Sequence, residues 1–328
     1  ERVLQHHGNR IRHYFHANQV ELNLITTPAG EENKNFSLYH KTLTALDQHN
    51  IIRRSEPVIA IGGGVLTDAA AFVTSTYRRG IPHIKVPTTL MGYIDAAIGI
   101  KNGINFNGNK NRIGAFSPPL AVFLDRSFLT TLPQRHVING MGEIIKLAII
   151  KDPELFYLLE KSGQDCIAQQ FQNPEGLMIL RRAIASMVSE LEPNLFEDNL
   201  NRIVDFGHTF AYAMEMQANA DLLHGEAVVI DMALSCIIAH QRQILSAQDV
   251  NRIIKLIINF GFRLYPDVMS TEILWQSVME RTDHRDGQQR IPLPQGIGNH
   301  VFANDINKKE IDQALNTLLT TTQEITHA

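Results

Sequence analysis

Glu143, His208 and His224 are the residues of this 328-residue chain whose types and settings best suit a metal ion. Glu143 lies in Gly140-Met141-Gly142-Glu143-Ile144-Ile145-Lys146, among small and apolar neighbours, and Lys146 follows three residues later on the same helix face. His208 lies in Asp205-Phe206-Gly207-His208-Thr209-Phe210, and His224 in Leu222-Leu223-His224-Gly225-Glu226-Ala227. Each marks a point where a glycine turn meets an apolar helix. One Glu with two His is a common catalytic Zn²⁺ set that keeps positions open for substrate oxygens. Taken alone, the three residues favour a simpler account, in which Glu143 pairs with Lys146 and both histidines end helices. Most other histidines, such as His6, His7, His13 and His16, read as solvated.

A second group suits phosphate. Ile59-Ala60-Ile61-Gly62-Gly63-Gly64-Val65-Leu66-Thr67-Asp68 has the order strand, glycine turn, helix start. Glycines let the backbone approach a diphosphate without a Cβ clash, while free N–H groups and the helix dipole hold its charge. Asp68 then accepts a hydrogen bond from a ribose or carboxamide. A tight turn with Asp68 as a helix cap explains the same residues equally well, and the spacing is not that of the usual dinucleotide fingerprint. Further on, Pro87-Thr88-Thr89-Leu90 precedes Asp95, Lys101, Asn105, Lys110, Asn111 and Arg112, interleaved with Gly99, Gly103, Gly108 and Gly114. Lysine point charges suit a phosphate and side-chain amides suit hydroxyls, so the stretch fits a phosphorylated polyol. By composition alone a plain solvated loop is slightly favoured.

Elements must hold these groups. The first third alternates short β-rich runs with helical stretches, the rhythm of a parallel sheet with crossover helices. Val20–Thr26 reads as a strand, Phe36–His49 as a helix, Pro57–Ile61 as a strand, and Thr67–Ser75 as a helix. Ile84–Val86 and Ala121–Leu124 read as further strands, with 99–114 as a long functional loop between them. From Ile138 on, apolar residues recur at helical spacing, as in Glu143–Ile150, Ile179–Leu191, Ala227–Gln241 and Asp249–Phe260. The expected architecture is an α/β nucleotide-binding domain over 1–133 and an all-α metal- and substrate-binding domain over 134–328, with a cleft where sites gather.

Apolar residues make up 44% and charged residues 20%, which excludes a disordered chain or a coiled coil. Thirty Lys and Arg against 34 Asp and Glu leave a net charge of −4, so no basic excess marks a nucleic acid or an anionic membrane as partner. Two cysteines, Cys166 and Cys236, are too few for a disulfide framework, and a reducing cytoplasm is the expected compartment. No run is apolar enough to span a membrane, and the stretch from Glu1 to Asn9 lacks the layout of a signal peptide.

In chain order, Gly62-Gly63-Gly64 with Asp68, Tyr77-Arg78-Arg79-Gly80, Pro87-Thr88-Thr89-Leu90, Asp95 with Lys101, Lys110-Asn111, Thr131-Leu132-Pro133, Glu143 with Lys146, Gly207-His208-Thr209 and His224-Gly225-Glu226 run through nearly the whole chain. This series resembles the 3-dehydroquinate synthase superfamily, the sugar phosphate cyclases. The resemblance implies a homodimer that holds NAD⁺ and a divalent metal, Zn²⁺ with Co²⁺ as substitute, in an interdomain cleft. It implies Glu143, His208 and His224 as metal ligands. It implies Gly62, Gly63, Gly64, Val65, Asp68, Thr88, Thr89, Phe128, Thr131 and Leu132 as NAD contacts, with Glu31 and Lys34 near the adenosine, and Lys101 and Lys110 as further cofactor contacts. Asp95, Lys101, Lys110, Asn111, Lys146 and Asp205 are the implied catalytic groups. Arg79, Tyr212, His284 and Arg285 join most of these as substrate contacts. The family's first strand is expected to precede Glu1.

The implied reaction is that of a carbon–oxygen lyase: transient oxidation of a ring hydroxyl, loss of phosphate, return of the hydride, and intramolecular aldol closure. Oxidation is needed because elimination without a ketone would pass through a far less stable carbanion. Asn201, Met187, Asp205 and Tyr212 replace the Arg, Lys, Asn and His of the dehydroquinate-forming pattern, so a substrate carboxylate loses its counter-charges. Asp95–Lys101, Lys110–Gly114, Glu192-Pro193-Asn194-Leu195, Asp205–Phe210 and Asp231–Ser235 resemble the sedoheptulose 7-phosphate cyclases instead. His224-Gly225-Glu226 is closer to the valiolone-forming branch than to the desmethyl-4-deoxygadusol-forming one, which carries a second His after the Gly. Ala211-Tyr212 stands where Ser-Pro is expected. A metal- and NAD-dependent polyol dehydrogenase is the rival from another reaction class.

Overall fold

The computed structural model describes residues 1–217, 222–264 and 269–326. The chain forms two compact units, Glu1–Pro133 and Gln134–Ala328.

The first unit begins with helix α1 (Arg2–Ala17), which buries His7, Gly8 and Ile11 on one face. The expected strand over Val20–Thr26 does not form. A strand needs a hydrogen-bonded neighbour, and this run has none among the described residues. Its last carbonyl, at Thr26, accepts instead from Lys41 Nζ, and the next, at Thr27, from the Glu1 amino group. Helix α2 (Phe36–Gln48) is capped by Asn35, whose Oδ1 accepts from the N–H groups of Ser37 and Leu38.

Strand β1 (Val58–Gly62), helix α3 (Gly64–Thr76) and strand β2 (His83–Pro87) make a βαβ unit, with Val58 opposite His83 and Gly62 opposite Pro87 in parallel register. Leu46 of α2, Val73 of α3 and Ile81 anchor the apolar cluster beside the sheet. The stretch 99–114 is no open loop. It forms an antiparallel hairpin of β3 (Lys101–Phe106) and β4 (Asn109–Phe116), turning at Asn107-Gly108 with φ of 48° and 76°. Its glycines serve close backbone approach: a Cβ on Gly114 would stand 2.2 Å from Asn102 O. Strand β5 (Ala121–Val122) then pairs with β2, giving a parallel sheet of order β1-β2-β5.

The second unit is helical. Helix α4 (Gln134–Ile150) is buried from Asn139 through Ile150. Helices α5 (Pro153–Ala168) and α6 (Pro174–Leu191) start at the caps Asp152 and Asn173. After a short helix, α7 (Ala211–Gln217), comes α8 (His224–Gln241), which is apolar and buried almost all round and so must lie inside the unit. Helices α9 (Ala247–Asn259) and α10 (Thr271–Asp283) follow. A small antiparallel hairpin, β6 (Ile291–Pro294) with β7 (His300–Ala303), is an addition that helical periodicity did not announce, and α11 (Lys308–Thr326) ends the described chain.

Candidate functional site

In the second unit, Glu143, His208 and His224 offer ligand atoms that all lie within 4.8 Å of one another. Helix α4 carries Glu143, and the first residue of α8 is His224. The start of α8 is held on α4 at two points. Gly225 N donates to Asn139 Oδ1 at 2.7 Å, and Arg135 grips Glu226 through Nε and Nη2, each at 2.8 Å. Glu226 in turn accepts from Leu223 N at 2.9 Å, closing the helix end. His208 follows Gly207, whose φ of +76° is a left-handed conformation, and a Cβ there would press on Val228 and Met232 of α8.

Both imidazoles are oriented from behind. His208 Nδ1 lies 3.1 Å from Phe206 O, and His224 Nδ1 lies 2.8 Å from Glu215 Oε1. Each ring therefore turns Nε2 toward Glu143 Oε1, at 3.7 Å and 3.6 Å. Donors about 2.1 Å from a shared tetrahedral cation stand roughly 3.4 Å apart, so the spacing suits one ion. Glu143 is 0% exposed, and neither of its oxygens accepts a hydrogen bond among the described residues. Its partner is the Lys146 ammonium, 2% exposed, in an ion pair one helical turn on. A buried carboxylate short of hydrogen bonds, facing two imidazoles fixed at Nδ1, fits a divalent cation.

Burial opposes charge on all three groups, and their neighbours decide the outcome. Burial raises the Glu143 carboxyl, but Lys146 and the two imidazoles outweigh it and hold the group well below the usual range. Burial, helped by Lys146, pushes His208 down to about 3. Burial would lower His224 too, yet Glu143 and Glu215 bring it up to about 10.

Asp205 is buried beside three guanidiniums. Arg202 Nη1 lies 3.3 Å from Oδ1, Arg281 Nη2 3.3 Å from Oδ2, and Arg285 also pairs with Oδ2. Arg285 further donates to Leu200 O, and Arg202 pairs with Glu197 at 2.8 Å. Asp205 and Arg285, each expected as a substrate contact, thus pair with one another, and nothing local in the sequence points to the arginines at 202 and 281. Met187 is fully buried, Asn201 and His284 are exposed, and Tyr212 stands exposed on α7. Glu215 and Asn139 were also missed. A lone Glu in Ala211-Tyr212-Ala213-Met214-Glu215-Met216 was the available signal for the first.

In the first unit, Gly62 ends β1 and Gly64 opens α3, whose N-terminus no side chain caps among the described residues. Val65 lies in that first turn. Thr88 N donates to Gly62 O, and a Cβ on Gly63 would meet Thr89 Cγ2 at 3.0 Å. An uncapped helix start under a glycine turn fits a diphosphate. Lys34, 3% exposed, bridges Asp68 Oδ2 at 2.8 Å and Asn111 Oδ1 at 2.6 Å. Burial raises the Asp68 carboxyl, with Lys34 working against it. Glu31 accepts from Asn105, which also receives Asn111 N, so expected cofactor and substrate residues share one network.

Lys85, fully buried, donates to Ala96 O and Gly99 O and pins the Gly92–Ala96 turn that carries Asp95. Lys101 is exposed at the start of the hairpin, Lys110 is half-buried on β4, and Arg79 is exposed with a φ of +64°. Phe128, Thr131 and Leu132 lie on or just past the turn Arg126–Thr131. His7, expected to be solvated, is buried there, with Nε2 2.8 Å from Thr131 Oγ1 and its ring edge-on to Phe128.

Comparison with known proteins adds a lineage. Residues 24–139 match the 3-dehydroquinate synthase N-terminal family, and residues 140–284 match the 3-dehydroquinate synthase C-terminal family. A 2-epi-5-epi-valiolone synthase from an Actinoplanes species is 44% identical over 94% of this chain and 79% of its own length. A demethyl-4-deoxygadusol synthase from Trichormus variabilis is 37% identical over 94% of this chain and 77% of its own. The structure of ValA, a 2-epi-5-epi-valiolone synthase from Streptomyces hygroscopicus subsp. jinggangensis with NAD⁺ and Zn²⁺ bound, matches with a TM-score of 0.95 at 42% identity, over 97% of this chain and 89% of that one.

Proposed function

Because the chain belongs to the 3-dehydroquinate synthase family, we propose that it is a sugar phosphate cyclase, a 2-epi-5-epi-valiolone synthase that converts sedoheptulose 7-phosphate with release of phosphate. The observation that carries this reading is the convergence of Glu143 Oε1 with the Nε2 atoms of His208 and His224 beside the buried Lys146 ammonium. When bound, Zn²⁺ at these three ligands supplies a Lewis acid, and NAD⁺ at the glycine turn a reversible hydride acceptor.

The chain's own groups do the rest. Lys146, held against Glu143, gives a proton to a substrate oxygen or takes one from it. The cations of Lys101, Lys110 and Arg79 serve the phosphate, and Asp95, on its pinned turn, serves a hydroxyl. Met187 and Asn201 bring no charge to a substrate carboxylate, and the guanidiniums of Arg202, Arg281 and Arg285 are already engaged by Asp205, Glu197 and backbone carbonyls. Both features favour an uncarboxylated sugar phosphate. Among the described residues no helix is long and apolar enough to cross a membrane. The buried free thiols Cys166 and Cys236 suit a reducing cytoplasm, and a homodimer is the assembly we propose.

The test is incubation with sedoheptulose 7-phosphate, Zn²⁺ and catalytic NAD⁺. Phosphate release, no build-up of NADH absorbance and a carbocyclic product by NMR are expected. NADH accumulating in step with substrate consumed would make the protein a polyol dehydrogenase instead.

A further inference from the structure

Glu215 has no part in the chemistry described so far, yet it is a carboxylate only 8% exposed on its side chain, and its Oε1 stands 2.8 Å from His224 Nδ1. It sits on α7, a helix of 7 residues, too short to hold its shape without support. The support comes from Asp231 of α8, itself 0% exposed. Asp231 Oδ2 accepts from Phe210 N at 2.5 Å and from Ala211 N at 3.0 Å, fixing the start of α7. One buried carboxylate thus holds the helix, and the helix carries a second one to the back of an imidazole.

We propose that Glu215 is the positioning residue of the metal centre: by accepting the Nδ1 proton of His224 it fixes the tautomer and ring angle that turn the Nε2 lone pair toward Glu143. The inference rests on the reading of Glu143, His208 and His224 as metal ligands. The two imidazoles are supported unequally. His208 leans on a neutral carbonyl at 3.1 Å, His224 on a charged carboxylate at 2.8 Å. A carboxylate behind an imidazole makes it the more basic ligand, and loss of such a partner costs about 10–100-fold in metal affinity. Of the two imidazoles, the one with the charged partner therefore depends on Glu215.

Zn²⁺ affinity of the metal-stripped full chain, measured by competition with a chromophoric chelator and paired with the visible absorption of the Co²⁺ form, tests this. Glu215→Ala should weaken Zn²⁺ binding by about 10–100-fold. Glu215→Gln, which keeps an acceptor oxygen but no charge, should fall between it and the parent and shift the Co²⁺ bands. The near-isosteric Gln variant decides the matter if the Ala variant does not fold. Parent-like affinity and spectrum in folded Glu215→Gln would overturn the inference while leaving the metal site standing. Failure of the parent to bind Zn²⁺, or parent-like binding by His224→Ala, would overturn the metal reading itself, and the inference with it.

Discussion

The crossing of α4 and α8 is where one methyl group should do most damage. A Cβ at Gly225 would stand 1.9 Å from Asn139 O, 2.8 Å from Asn139 C and 2.9 Å from Asn139 Oδ1. Backbone carbonyls on a buried helix do not swing aside as a side-chain tip does, so the first turn of α8 has to move. Reaching even a close carbon–oxygen contact of about 3.3 Å requires a shift of roughly 1.4 Å. His224 is the neighbouring residue and moves with it, whereas ligand distances tolerate only about ±0.2 Å. In Gly225→Ala, then, Zn²⁺ affinity should fall by more than about 100-fold, beyond the loss of a single outer-shell partner. Overpacking and the strained Gly225–Asn139 hydrogen bond together should cost about 2–4 kcal/mol. Gly142→Ala is the graded control: its Cβ would meet Gly225 O at 2.8 Å, asking for a shift of only about 0.5 Å and so a smaller loss. Chelator competition gives the affinities and thermal melts of the metal-free proteins give the stabilities. Folded Gly225→Ala binding Zn²⁺ like the parent, or Gly142→Ala proving the worse of the two, would refute the argument.

Other expectations follow from the buried charges. Lys146→Met should abolish phosphate release and take from buried Glu143 its nearest cation, leaving the His224 imidazolium as counter-charge, so the metal-free protein should lose stability by less than the roughly 3–5 kcal/mol of a carboxylate left wholly unpaired. Added Zn²⁺ should recover much of that in a thermal melt, and no such recovery would count against Glu143 as a ligand. Asp152 caps α5 and accepts from Leu155 N, Arg182 and Ser186 Oγ. Burial raises its carboxyl, but Arg182 and the other donors hold it below the ordinary value near 3.8. A depressed folded value means the stabilisation is complete above the unfolded pKa and fades as pH falls through the folded one. Asp152→Ala should therefore cost about 2 kcal/mol at neutral pH and approach the parent only as pH falls below 3.8 and through the depressed folded value, whereas parallel acid limbs in urea melts would exclude this. Lys34→Met should weaken NAD⁺ binding by calorimetry and leave Zn²⁺ affinity unchanged, because Lys34 works on Asp68 and Asn111 inside the first unit.

Periodicity reports what a residue's sequence neighbours do, and that divides what could be read from what could not. The run Ile59–Asp68 was legible as strand, turn and helix because each cue is local, and α4 and α8 because an apolar run with glycine or cap signals needs no distant partner to declare itself. Val20–Thr26 has the alternation of a strand and lacks a neighbour to pair with, which no window of residues shows. The hairpin at 101–116 was misread for the opposite reason. Its Asn107-Gly108 turn is a strong hairpin signal, but glycines interleaved with lysines and asparagines suit a polar functional loop equally well, whereas here they serve close strand approach. His7 against Thr131, Lys34 between Asp68 and Asn111, and the arginines round Asp205 join residues far apart in the chain, and composition carries no trace of such pairs.

The same limit bears on substrate choice. Tyr212 stands out as a departure from the sedoheptulose 7-phosphate cyclase pattern, and the structure puts it on α7, one turn before Glu215. Asp231 holds the start of that helix and His224 meets its far end, so α7 is tied at both ends to α8, the helix that also bears a metal ligand. A rigid seven-residue helix turns the tyrosine's place into a consequence of the metal centre's own scaffolding. Changes at position 212 should then act on substrate or product selectivity through the ring itself, while changes at 215 or 231 shift the metal and the tyrosine together. The coupling arises because a helix too short to stand alone borrows its order from the charges it connects.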